Sequence, residues 1–156
     1  MKTAICYSTR HGATKKCAEL LKFKLLGAEL VDVKEKPDFD LYPYDTVIIG
    51  GSVQAGTVKR ELKKFCQVNR KLLFQKKLGL YICCMYEGEK AQHEIQMNFP
   101  GELYENAVAT DYFGGIFDLA KLNFFERIIV KLVAGIKENR FNIKEDRIAK
   151  FAEKFK

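Results

Sequence analysis

Neither GxGxxG nor GxxxxGKS/T occurs anywhere in the 156 residues, so the glycine-rich signatures of dinucleotide and nucleoside triphosphate sites are both missing. The five cysteines, Cys6, Cys17, Cys66, Cys83 and Cys84, include no CxxC pair and have no histidine clustered beside them. That excludes a zinc pattern and a disulfide framework, and it predicts reduced, buried thiols in a cytoplasmic protein. A run of about 18 uncharged apolar residues is absent as well, so no membrane span is predicted. The opening Met1 to Thr9 is too short in apolar residues to read as a signal peptide. With no linker, repeat or low-complexity stretch, residues 1–156 are expected to form a single domain.

The charge is lopsided, with 27 Lys and Arg against 20 Asp and Glu, a formal net charge of +7. Eight of the positive charges, Lys59, Arg60, Lys63, Lys64, Arg70, Lys71, Lys76 and Lys77, fall between Val58 and Lys77 against Glu61 alone. No aromatic interleaving and no nucleic-acid motif accompany them, so a solvated helix face is expected and nucleic acid is not a predicted partner. From Glu87 to Glu105 the bias reverses, with five glutamates against Lys90.

Apolar runs alternate with helical spacing. Thr3 to Tyr7, Ala28 to Val33, Asp45 to Gly50, Leu78 to Cys84 and Val108 to Phe113 read as strands, several without polar atoms, as in a parallel sheet covered on both faces. Ala13, Cys17, Leu20, Leu21 and Leu25 share one helix face, as do Val58, Leu62, Phe65 and Cys66. This alternation predicts a doubly wound α/β sheet. Two later helices are expected, from Leu122 to Ile136 and from Ile143 to Phe155, the second opened by an Asn142 and Glu145 capping pair. In the first of them Leu122, Phe125, Ile129, Leu132, Val133 and Ile136 form the expected core stripe, while Phe124 and Ile128 point elsewhere. That apolar surplus suits a partner subunit, a membrane surface or a lid; packing beneath the last helix is the plainer account.

Ligands of such sheets bind beyond the carboxyl ends of the strands. Three loops lie there: Ser8 to Thr14, Ser52 to Thr57, and Met85 to Gly88. The first offers hydroxyls on Ser8, Thr9 and Thr14, a turn glycine at Gly12 and a helix N-terminus behind it. It suits a phosphate monoester, and equally an ordinary capped turn. Neither histidine, His11 or His93, has the spaced partners of a metal site.

Tyr7-Ser8-Thr9-Arg10-His11-Gly12-Ala13-Thr14 resembles the phosphate loop of flavodoxins, and Tyr44-Asp45-Thr46-Val47-Ile48-Ile49-Gly50-Gly51-Ser52 resembles their third strand and second loop. Within that superfamily the sequence is most similar to the menaquinone-dependent protoporphyrinogen dehydrogenases and the flavodoxin-domain proteins grouped with them. The shared features include the late segment Phe125-Glu126-Arg127-Ile128-Ile129-Val130-Lys131-Leu132. The resemblance implies a flavodoxin-like five-stranded parallel sheet of order 2-1-3-4-5 with helices on both faces. It further implies an FMN cofactor whose phosphate is surrounded by Thr9, His11, Gly12, Ala13 and Thr14, with Arg10 adding its backbone N–H and its charge. Ser52, Val53, Gln54, Ala55 and Gly56 would run along one side of the flavin ring and Met85, Tyr86, Glu87 and Gly88 along the other. Gln54 stands where many flavodoxins place an aromatic ring stacker, and Tyr86 is the aromatic of the ring loops. His11 stands where a hydroxyl residue, or Asp in the closer relatives, is usual.

The implied activity is that of an FMN-dependent oxidoreductase taking electrons from a porphyrinogen and handing them to a quinone, with no catalytic side chain required of the chain. A redox shuttle between protein partners and an interaction module that has lost its flavin are the other two readings. Peripheral contact with a membrane at the cytoplasmic face, or a homodimer, is expected through residues 117–136.

Overall fold

The three central strands of the sheet are buried along almost their whole length, and alternate residues feed two separate cores. The computed structural model describes residues 1–117, 123–134 and 140–156. Its elements run β1 (Thr3–Ser8), α1 (Ala13–Lys24), β2 (Glu29–Asp32), β3 (Thr46–Ser52), α2 (Arg60–Val68), α3 (Arg70–Phe74) and β4 (Lys77–Cys83). There follow α4 (Gly88–Asn98), α5 (Gly101–Asn106), β5 (Ala109–Tyr112), β6 (Gly114–Phe117), α6 (Phe124–Ala134), β7 (Arg140–Ile143) and α7 (Glu145–Glu153). Five strands pair in parallel in the order β2-β1-β3-β4-β5, as the flavodoxin resemblance implied.

Because side chains alternate along a strand, Ala4, Cys6, Val47, Ile49, Leu78, Leu80 and Ile82 face one core and Ile5, Tyr7, Ile48 and Tyr81 the other. Helices α2 to α5 cover the first through Leu62, Phe65, Leu73, Ile95 and Leu103, and α1 and α7 cover the second through Cys17, Leu21, Ile148 and Phe151. All five cysteines are buried and unpaired. One position shows how close the second core packs. A Cβ on Gly50 would lie 2.0 Å from Cζ of Tyr81, whose ring stacks on Phe113 at 4.8 Å between centroids.

Three features depart from the sequence expectations. Asn142 caps no helix: it pairs with Gly115 in a two-stranded antiparallel sheet of β6 and β7, and α7 begins at Glu145. The backbone of β6 needs a partner for its edge, and β7 supplies it, so long-range pairing outweighs the local capping pattern. Helices α4 and α5 occupy the acidic stretch, where the apolar residues Ala91, Ile95 and Leu103 are too few to mark a face. In α6, Phe125 and Leu132 of the expected core stripe are 74% and 80% exposed, since no element among the described residues covers them. Phe124, expected to point away from the core, is exposed too. Leu122 and Ile136 lie outside the described residues.

Candidate functional site

The carboxyl ends of β1, β3 and β4 are neighbours, so the three loops that follow them leave one edge of the sheet side by side. The first loop runs from Ser8 into α1. Gly12 holds φ at 93°, a left-handed conformation that glycine adopts freely, and opens α1 as its N-cap. Among the described residues nothing lies within 4 Å of the position a Cβ would take there. The Gly12 N–H donates to Oγ1 of Thr9 at 3.0 Å. No side chain caps α1 and no acid sits in its first turn, so the positive end of the helix dipole is left for an anion. From below, the buried hydroxyl of Tyr81 donates to the Thr14 carbonyl at 3.0 Å and fixes that first turn.

The hydroxyls of this loop are engaged internally. Ser8, buried, donates to Oε1 of Glu61 at 3.1 Å, and Thr14, also buried, bonds Oγ of Ser52 at 2.7 Å. The second contact stitches the first loop to the second. Burial alone would raise the Glu61 carboxyl, but its own backbone amide, the Ser8 hydroxyl and the Lys59 ammonium outweigh that and hold it below the ordinary range.

The second loop is a tight turn. Val53 is buried and its N–H donates to the Cys83 carbonyl at 2.9 Å, while Gln54 and Thr57 exchange two backbone bonds of 2.9 and 3.1 Å. Ala55 and Gly56 between them take φ of 50° and 78°, the left-handed pair of a primed turn, and both are exposed. Asn98 of α4 anchors the turn from beneath. Its Oδ1 accepts the Val58 N–H at 2.9 Å, and its Nδ2 donates to the carbonyls of Gly56 at 3.2 Å and Glu94 at 2.8 Å.

The third loop begins where Cys84 donates its thiol to the Tyr86 carbonyl at 3.5 Å. Met85 and Tyr86 are half-buried, Glu87 and Gly88 exposed. The Gly88 N–H donates to the Tyr112 hydroxyl at 3.1 Å, and Glu87 pairs with Lys144 at 2.5 Å, which lowers its carboxyl. The ring of Tyr86 packs beneath Lys90, with Nζ 5.4 Å from its centroid, and lines a cleft of about 340 Å³ with α4 residues including His93. Burial pushes the Cys84 thiol up to about 12, and the neighbouring Cys83, bonded to Cys17 across 3.6 Å between sulfurs, is raised as well. Both thiols are therefore inert as nucleophiles.

Thus the first and second loops are joined directly and the third reaches them through β4. Sequence reasoning gave no role to Glu126, Glu61, Asn98, Tyr81 or Tyr112. Glu126 is the most consequential. From the first turn of α6, capped by Asn123 whose Oδ1 accepts its N–H at 2.8 Å, it reaches Nη2 of Arg10 at 3.3 Å and Nε2 of His11 at 2.8 Å. Burial would raise its carboxyl; the His11 bond, the Arg10 charge and the Gln54 amide together lower it. A partner 115 residues away leaves no local signal. Beside this cluster a cleft of about 380 Å³ is lined by Arg10, Ser52, Gln54, Thr57, Val58, Lys59, Arg60 and Lys63, four of them basic. Among the described residues no group of three His, Cys, Asp or Glu side chains is placed to hold a metal ion, and no helix is long and apolar enough to cross a membrane.

The family model of the flavodoxin domain matches residues 4–144. The chain belongs to the flavodoxin-domain family. Oxidised flavodoxin 1 from Bacillus cereus has a similar fold, with a TM-score of 0.64 and 14% identity over 99% of this chain and 97% of that one. Flavodoxin 2 of the same organism gives 0.59 and 19% over the same shares. The two-electron reduced flavodoxin of Megasphaera elsdenii gives 0.57 and 14% over 70% of this chain and 84% of its own. No curated protein matches the sequence. At such identities the likeness to these flavodoxins is one of fold, and the loop chemistry must be argued from the residues of this flavodoxin domain itself.

Proposed function

We propose that this single flavodoxin-like domain binds FMN noncovalently at the edge formed by its three loops and acts as an oxidoreductase. The observation that carries the reading is the opening of α1. Gly12 leaves space in front of an uncapped helix N-terminus, with the Arg10 and His11 side chains and the Thr9 hydroxyl around it. This donor set fits a phosphate monoester, and the residues present therefore fit the cofactor. When bound, FMN supplies the electron transfer, accepting electrons from a reduced substrate and releasing them to an acceptor.

The chain's own residues would bind and orient. Ser8, Thr9, Arg10, His11, Gly12, Ala13 and Thr14 would form the phosphate side, some by backbone N–H and some by side chain. The rigid turn Ser52, Val53, Gln54, Ala55 and Gly56 would wall one side of the ring, and Met85, Tyr86, Glu87 and Gly88 the other. Gln54 offers an amide where a stacking ring would be apolar, which leaves that wall polar and wet. The basic cleft of Arg10, Lys59, Arg60 and Lys63 beside the second loop favours an anionic substrate over an acidic-surfaced shuttle role. A porphyrinogen bearing carboxylates, with a quinone as acceptor, matches that chemistry. The exposed Phe124, Phe125, Ile128 and Leu132 of α6 suit contact with a redox partner protein, a second copy or the cytoplasmic face of a membrane. Buried free cysteines fit a cytoplasmic setting.

The test is titration of FMN followed by quenching of flavin fluorescence. The domain should bind, and the Thr9→Ala, Thr14→Ala double variant should bind about tenfold or more weakly with its fold retained, by the usual worth of lost polar contacts. A protein that quenches no flavin overturns the reading. For a yellow protein, failure to reduce a quinone with porphyrinogen present would retire the dehydrogenase activity and leave electron transfer between proteins.

A further inference from the structure

The guanidinium and imidazole of the first loop are already held by an anion that belongs to the chain. Glu126 takes Nη2 of Arg10 at 3.3 Å and Nε2 of His11 at 2.8 Å. With Ser8 turned to Glu61 and Thr14 to Ser52, Arg10 and His11 join the Thr9 hydroxyl as the side chains of that loop left to meet a phosphate. Both are tied to α6. Among the described side chains of α6, Glu126 alone is withdrawn from solvent, with 14% of its side chain exposed, whereas Phe124, Phe125, Ile128 and Leu132 are exposed. Glu126 thus ties α6, whose exposed described residues include four large apolar ones, to the mouth of the site.

We propose that Glu126 is a latch: its carboxylate and the FMN phosphate compete for Arg10 and His11, so that cofactor binding and docking of α6 oppose each other. The inference rests on the FMN reading above. A phosphate monoester carries close to two negative charges near neutral pH. Adding it beside an ionised Glu126 would set about three negative charges against one guanidinium and one imidazole, so the arrangement favours exchange over shared occupancy. Coupling of this kind is reciprocal. If the latched form exceeds the open one by about tenfold, FMN affinity falls by about tenfold, and bound FMN frees α6 to the same extent. The exposed aromatic face of α6 would then be presented to a partner chiefly when the cofactor is in place.

The experiment compares FMN affinity, by fluorescence quenching, in the full chain and in its Glu126→Gln and Glu126→Asp variants, together with trypsin cleavage within α6. Glu126→Gln should bind FMN about tenfold more tightly and Glu126→Asp as the parent does. Added FMN should speed cleavage of α6 in the parent chain, while Glu126→Gln should be cleaved fast with or without FMN. FMN bound by the parent and Glu126→Gln with equal affinity, or more weakly by Glu126→Gln, would overturn the latch alone. FMN bound by neither would overturn the flavin reading and the latch with it.

Discussion

Phe151 and Phe125 are the same residue in helices of similar length, yet one is 2% and the other 74% exposed. Phe151 of α7 meets Phe113, Tyr81 and Phe155, edge-on or tilted, at 5.3, 6.5 and 5.1 Å between centroids. Phe125 of α6 has the neighbouring Phe124 ring at 5.9 Å, and its helix is docked by a carboxylate. The two regions are held by different physics. The sheet and α7 rest on apolar area withdrawn from water, which no single polar group controls. Among the described residues, α6 meets the site through the Glu126 cluster with Arg10 and His11, which a change of charge, pH or ligand can undo.

The sharpest way to break the contrast is Phe151→Ala. It should lower unfolding stability by about 3–5 kcal/mol, read from chemical denaturation, because it empties the centre of the second core. A loss below about 1 kcal/mol would mean that α7 is not part of the cooperative core. Asn98→Ala comes next, at about 1–3 kcal/mol, because it leaves the buried Val58 N–H without its acceptor. Its distinguishing sign is faster hydrogen exchange at residues 54–58 while α6 is unaffected.

A pH change should act on the other region. Since the folded Glu126 carboxyl lies below its ordinary 4.5, its docking contribution is in place above that value and is lost as pH falls through the lower, folded value. Amide exchange in α6 should therefore quicken in acid before the sheet unfolds, and Glu126→Gln should abolish that transition. Simultaneous loss of α6 and the sheet would erase the distinction. The smallest effect belongs to Phe125→Ala, which should change global stability by less than about 0.5 kcal/mol. A larger loss would show that α6 is seated by apolar contact after all.

The parallel sheet was legible because strands covered on both faces carry unbroken apolar runs, as Val47 to Gly50 does, and because α1 repeats its apolar face every three or four residues. The edge where the loops gather followed from topology. The short antiparallel pair β6 and β7 was not legible, since Asn142 and Glu145 fit a local cap equally well and only the register of Gly115 against Asn142 decided between them. Within the site, Gly12 and Thr9 were readable as a turn before a helix. Asn98 was not, because nothing in an acidic helical stretch marks one amide as the support of a distant turn.

By itself the sequence determined the layered α/β architecture, the three loops at one edge and the separation of basic from acidic stretches, all of which depend on periodicity and composition over short windows. Tertiary structure decided which polar groups meet. The pairing of Ser8 with Glu61, of Thr14 with Ser52, and of Arg10 and His11 with Glu126 joins residues 38 to 116 positions apart. Hydrogen bonds and ion pairs are specific at a few ångströms and silent along the chain, so the form of the fold was written in the apolar pattern and the state of its site only in space.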